Sequence, residues 1–136
     1  MSAPVDLVQG VPLFAELDKR ELRELANSMK ERNFAAGSAI ATEGQTGIGF
    51  FLIGEGTAKV TQGGEERGML GPGDYFGEIA LIDDGMRTAS VIADTDLKAY
   101  GLTSWEFRPL VESNATIAWT LLRTMATRLR AAEGRG

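Results

Sequence analysis

A mostly β body held between helices is the fold class this sequence predicts, and three observations predict it. Seventeen glycines in 136 residues is a high count and implies many tight turns. Between 31 and 102, short apolar or alternating runs are cut apart by glycine-rich turn signals. Before and after that stretch, the apolar residues change to helical spacing.

The first helix is expected at 18–30, "DKRELRELANSMK". There Leu22, Leu25, Ala26 and Met29 recur at i, i+3, i+4 and i+7. Asp18 followed by Glu21 supplies a capping box. The preceding "VPLFAEL" is apolar and interrupted by Pro12, which suits a short turn packed on the body. The body then reads as the runs "AIAT", "GFFLI", "TAKVTQ", "RGML", "TASVIA" and "LKAYGL", with turns such as Gly63-Gly64 and Gly71-Pro72-Gly73-Asp74 between them. Close, regular spacing of short strands predicts a sandwich or barrel, and no βαβ rhythm is present. At Thr103 a second capping box with Glu106 opens a helix that Pro109 should keep short or bent. A longer helix follows over roughly 115–133, where Ala118, Leu122, Met125, Leu129 and Ala132 form a heptad seam. Such a seam packs either on its own body or on a second copy, so a homodimer through 115–133 is one expectation.

Composition removes whole classes of function. The chain has no cysteine and no histidine, hence no thiol nucleophile, no common catalytic triad and no usual zinc site. No metal, no cofactor and no enzymatic activity are expected. A net charge of −5 argues against direct nucleic-acid contact from this chain, which needs a basic face. The N-terminus lacks the pattern of a secretory signal, and no run approaches the ~18 apolar residues of a membrane span. A cytoplasmic protein is expected, organised as one domain over 1–136: a helical N-terminus 1–30, a β body 31–102 and C-terminal helices 103–133.

One segment carries chemistry. "FGEIALIDDGMRTASV", residues 76–91, places a single glutamate, Glu78, and a single arginine, Arg87, among mostly small and apolar residues. Charges in a half-buried region need partners. These two pair with each other, or they hold a ligand that offers both a hydroxyl and an anion. For Phe76, Leu81 and Val91 core packing is the plainer role. Val60, Met69 and Leu70 are further core candidates, or positions that flank such a ligand.

The pattern Phe76-Gly77-Glu78-Ile79-Ala80-Leu81, five residues, then Arg87-Thr88-Ala89-Ser90-Val91 resembles the phosphate-binding cassette of the cyclic nucleotide-binding domain family. That family includes bacterial cAMP receptor proteins, regulatory subunits of protein kinase A and cyclic-nucleotide-gated channels. The lead-in "LGPGD" and the hairpin "FFLIGEGTAKV" are similar to the family's too, and the resemblance covers about residues 10–133. It implies an eight-stranded antiparallel β-roll, jelly-roll-like, with an N-terminal helix and two C-terminal helices. It also implies a non-catalytic regulatory sensor whose ligand is cAMP or cGMP. By resemblance Glu78 takes the ribose hydroxyl and Arg87 the phosphate, with donors from the amides of Ala80 and Ala89. Gly77, Ile79 and Thr88 complete the site. Base contacts in the family come partly from the last helix, where Arg128, Ala132 and Glu133 are the candidates. Thr88 leaves the choice of base open. The family often has proline before the arginine, and here Met86 stands there, beside Asp83 and Asp84.

The chemistry agrees with the resemblance. A 3′,5′-cyclic phosphodiester carries one negative charge, matched by one guanidinium whose planar fork grips oxygens directionally. A helical turn at 78–81 would aim free N–H groups at the same phosphate. Gly77 lets backbone approach a ligand closely. Glu78 accepts only, which suits a 2′-hydroxyl donor. Inorganic phosphate would set Glu78 against a like charge, and a nucleoside triphosphate loop would need a GK[ST] motif that the chain lacks. The alternative function is a β-roll interaction domain with a vestigial pocket.

Overall fold

The structure, a computed structural model, describes residues 3–44, 49–77, 80–83, 87 and 89–134. Its N-terminal part holds α1 (Val5–Gln9), a 3-10 turn at Pro12–Phe14 and α2 (Lys19–Ser28). The Asp18 carboxylate accepts from the Glu21 N–H at 2.8 Å, and the Glu21 carboxylate accepts from the Asp18 N–H at 3.0 Å. This is the expected capping box, and it satisfies the buried Glu21. The helix stops at Ser28 rather than running to 30, because Met29 is already extended at φ −83°, ψ 137°. Met29 is nevertheless buried with Leu22, Leu25 and Ala26. An apolar residue that faces the same core from the first extended position keeps the helical spacing intact, so spacing alone overruns the boundary.

Eight antiparallel strands follow among the described residues: β1 (Lys30–Phe34), β2 (Ala39–Ala41), β3 (Gly49–Glu55), β4 (Ala58–Gln62), β5 (Glu65–Leu70), β6 (Tyr75–Phe76), β7 (Ser90–Ala93) and β8 (Leu97–Thr103). They form two four-stranded sheets, ordered β1-β8-β3-β6 and β2-β7-β4-β5. The mostly β class and the eight-stranded roll are borne out. The strands extend one residue beyond 31–102 at each end. Two of them lack a strand-like signature: β1 is the charged edge segment "KERNF", and β6 has only two residues.

The central strand β3 explains where the site sits. Its side chains alternate between two cores. Phe50 and Leu52 join Tyr100, Leu102 and the helical residues Phe14, Leu22, Phe107 and Ile117. Phe51 and Ile53 instead face the space between the sheets, with Ala58, Val91, Ala93 and Ala99. Burial on both faces is why "GFFLI" is a continuous apolar run. Phe76, Val60 and Leu70 pack on the inter-sheet core, as their core assignment requires, and Leu81 and Val91 are buried. Met69 is not core; it is 47% exposed. The register pairs it with Lys59 and pairs Leu70 with Ala58, so Met69 lies on the outward face.

The chain closes with α4 (Ser104–Glu112) and α5 (Ala115–Ala132). α4 spans nine residues, carries Pro109 and has the Thr103–Glu106 capping box. α5 buries Ile117 and Leu121 against the body, while residues 126–134 are exposed. Among the described residues no helix is long and apolar enough to cross a membrane.

Candidate functional site

The segment 75–91 begins as a strand because β6 pairs with β3, with Phe51 opposite Phe76 and Leu52 opposite Tyr75. That pairing turns Phe76 toward the inter-sheet core. At Gly77 the chain leaves the strand with φ +85°. A β-carbon there would collide with the Gly49 carbonyl oxygen and with the Arg87 guanidinium. Only glycine meets both demands, a left-handed backbone and no side chain. A helical turn, α3 (Ala80–Asp83), follows among the described residues, and residues 78–79 of the expected turn 78–81 lie outside them. Leu81 from that turn is buried in the helical core, and Ile82 is 52% exposed.

Arg87 returns to the same spot from ten residues further along the chain. Its Nη2 donates to the Gly49 carbonyl. Its Cζ stands 5.8 Å from the centroid of the Phe76 ring. Its own carbonyl accepts from the Gly44 N–H at 2.9 Å. Half-buried Arg87 is therefore tied through its guanidinium to the first residue of β3 and through its backbone to Gly44. Ser90, where β7 begins, is fixed in turn by accepting on its hydroxyl from the Glu43 N–H at 2.9 Å.

Of the residues singled out from sequence, Gly77 and Arg87 are brought together, Ala80 opens α3, and the half-buried Ala89 directly precedes β7. Glu78, Ile79 and Thr88 lie outside the described residues, as do Asp84 and Met86. Arg128 and Ala132 lie on the exposed C-terminal turns of α5, and Glu133 is the exposed residue that caps them. Two partners of Arg87 were not legible as such. The Gly49 acceptor is a backbone carbonyl and carries no residue-type signal. Phe76 was visible as core, and its second role depends on what the cross-strand pairing sets beside it.

Comparison with known proteins now decides the family. The family model for the cyclic nucleotide-binding domain matches residues 31–114. The chain belongs to the cyclic nucleotide-binding domain family. It is similar to a cAMP-dependent protein kinase regulatory subunit from Yarrowia lipolytica, 39% identical over 106 residues, which covers 76% of this chain and 28% of that protein. It is similar to the cyclic AMP receptor protein of Thermus thermophilus, at 31% identity over 93% of this chain and 61% of that one. The crystal structure of the N-terminal domain of a transcriptional regulator from Streptomyces coelicolor superposes with a TM-score of 0.87 at 34% identity, covering 93% and 94% of the two chains. This cyclic nucleotide-binding domain thus spans little more than a quarter of the kinase subunit it matches.

Proposed function

We propose that this domain senses a 3′,5′-cyclic nucleotide, with cAMP as the primary ligand and cGMP as its competitor. Arg87 takes the phosphate, Glu78 takes the ribose 2′-hydroxyl, and the amides of Ala80 and Ala89 add donors, with Gly77, Ile79 and Thr88 around them. The observation that carries this reading is the meeting of Arg87 with Gly77 beside the inter-sheet core. There a guanidinium is held by a backbone carbonyl and an aromatic face, at a position where the chain leaves room for close backbone approach. Base contacts fall to Arg128, Ala132 or Glu133 at the exposed C-terminal end of α5. The same reading puts the module in the cytoplasm, where a diffusible nucleotide would reach it, and treats 1–136 as one binding domain.

A homodimer through 115–133 belongs to the proposal. It is supported by Leu122 and Leu129, each 60% exposed on the seam.

The decisive experiment is a thermal-shift titration with cAMP and cGMP, backed by calorimetry. Ligand at about 100 times its dissociation constant should stabilise the fold by about 2.7 kcal/mol. For a domain of this size that is a rise of several degrees. A folded protein whose melting is unmoved by millimolar cAMP or cGMP would favour the vestigial pocket instead.

A further inference from the structure

We infer that Phe76 is a positioning residue for Arg87: its ring face sets the plane of the guanidinium that meets the ligand. The inference rests on the reading that Arg87 takes the phosphate. Three rings lead to the cation. Phe34 on β1 meets Phe51 edge-on at 5.9 Å, and Phe51 stacks on its cross-strand partner Phe76 at 5.5 Å and 29°. Phe76 then presents its face to Arg87 Cζ at 5.8 Å. The negative face of an aromatic ring attracts a guanidinium within about 6 Å, and a flat cation over a flat ring favours one orientation.

An arginine side chain has many rotamers, and fixing one before the ligand arrives lowers the ordering cost of binding. Two contacts contribute to that orientation here. The Gly49 carbonyl takes an Nη2 proton, and Arg87 Cζ lies over the Phe76 ring. Gly77 contributes by omission, since any side chain there would occupy the guanidinium's place. Phe76 is itself held by the β6–β3 pairing and the packing against Phe51, so the support is rigid. Leucine or methionine at 76 would keep the apolar packing and lose the quadrupole.

The test is a double-mutant cycle with cAMP, read by calorimetry, with the Arg87 Nε–H resonance followed by NMR in ligand-free protein. Phe76→Leu should weaken cAMP by about three- to tenfold, and Phe76→Tyr should keep parental affinity within about twofold. In an Arg87→Gln background, Phe76→Leu should change affinity by less than about twofold. The Arg87 Nε–H signal, shielded by the ring in the parent, should move toward the free-arginine position in Phe76→Leu. Phe76→Met gives the same comparisons should the leucine variant not fold. Equal losses with and without Arg87, or an Arg87 signal indifferent to the ring, overturn the inference. A parent that binds no cyclic nucleotide overturns the proposed function, and the phosphate role of this contact with it. The Arg87 resonance separates that failure from a failure of the contact itself.

Discussion

Arg87 is the residue on which ligand binding should depend most. Removing one member of a buried, hydrogen-bonded charge pair costs about 2–5 kcal/mol, or roughly 30- to several-thousand-fold in affinity. Arg87→Ala should therefore show a cAMP loss in that range. Arg87→Lys should recover only part of it, because an ammonium keeps the charge and loses the fork that meets Gly49 and, in the proposed role, the phosphate. Glu78→Gln should cost less, since an amide oxygen still accepts from a hydroxyl. Ligand-free melting should stay close to the parent in all three, measured on the same samples. An Arg87→Ala protein that binds cAMP within a few-fold of the parent, or that unfolds without ligand, would make Arg87 a structural residue and sink the phosphate assignment.

The element that joins the roll to its C-terminal helices is the cap of α4. The Thr103 hydroxyl accepts from the Glu106 N–H at 3.3 Å and donates to the Glu106 carboxylate at 2.8 Å, while the Thr103 N–H donates to that carboxylate at 3.0 Å. Lys30, the first residue of β1, reaches the same carboxylate at 3.1 Å. Burial pushes the Glu106 carboxyl up, but the Thr103 hydrogen bonds and Lys30 together outweigh it and hold the carboxyl below its ordinary value. A depressed carboxyl stabilises the fold above its unfolded pKa, and that contribution is lost as pH falls through the lower folded value. Melting of the parent should thus drop in the acid range below the usual glutamate pKa, and Glu106→Gln should flatten that part of the profile. Thr103→Ala should lower stability by about 1 kcal/mol through loss of the cap, measured by denaturant unfolding. An unchanged acid limb in Glu106→Gln would remove Glu106 from the account of acid sensitivity.

The proposed dimer turns on α5, whose two faces differ in burial. Ile117 and Leu121 anchor it to α4 and the 3-10 turn, and Met125 packs partly on the helical core. Leu122 is exposed, and with Trp105, Leu121 and Met125 it lines an open apolar groove of about 580 Å³. Replacing Leu122 and Leu129 by glutamate should dissociate the proposed dimer and leave the roll's melting intact, whereas a charge at Met125 should also disturb folding. Sedimentation of the unmodified protein with and without cAMP is the check. A monomer in both conditions would leave the seam without a partner helix.

The sequence by itself determined the helix–β–helix order, both capping boxes, the strand at "GFFLI" and the family, because these rest on contacts between residues close in the chain or on a motif of fixed spacing. It also picked out Gly77 and Arg87. It overran α2 by two residues, left the polar edge strand β1 and the two-residue β6 unmarked, and counted Met69 among its core candidates. Each of these depends on pairing between distant segments: β8 recruits β1, β3 recruits β6, and the β4–β5 register turns Met69 outward with Lys59. The immediate surroundings of Arg87 were decided the same way. A backbone carbonyl from the start of β3 and a ring carried in by β6 converge on one guanidinium, and only the closure of the sheet sets them side by side.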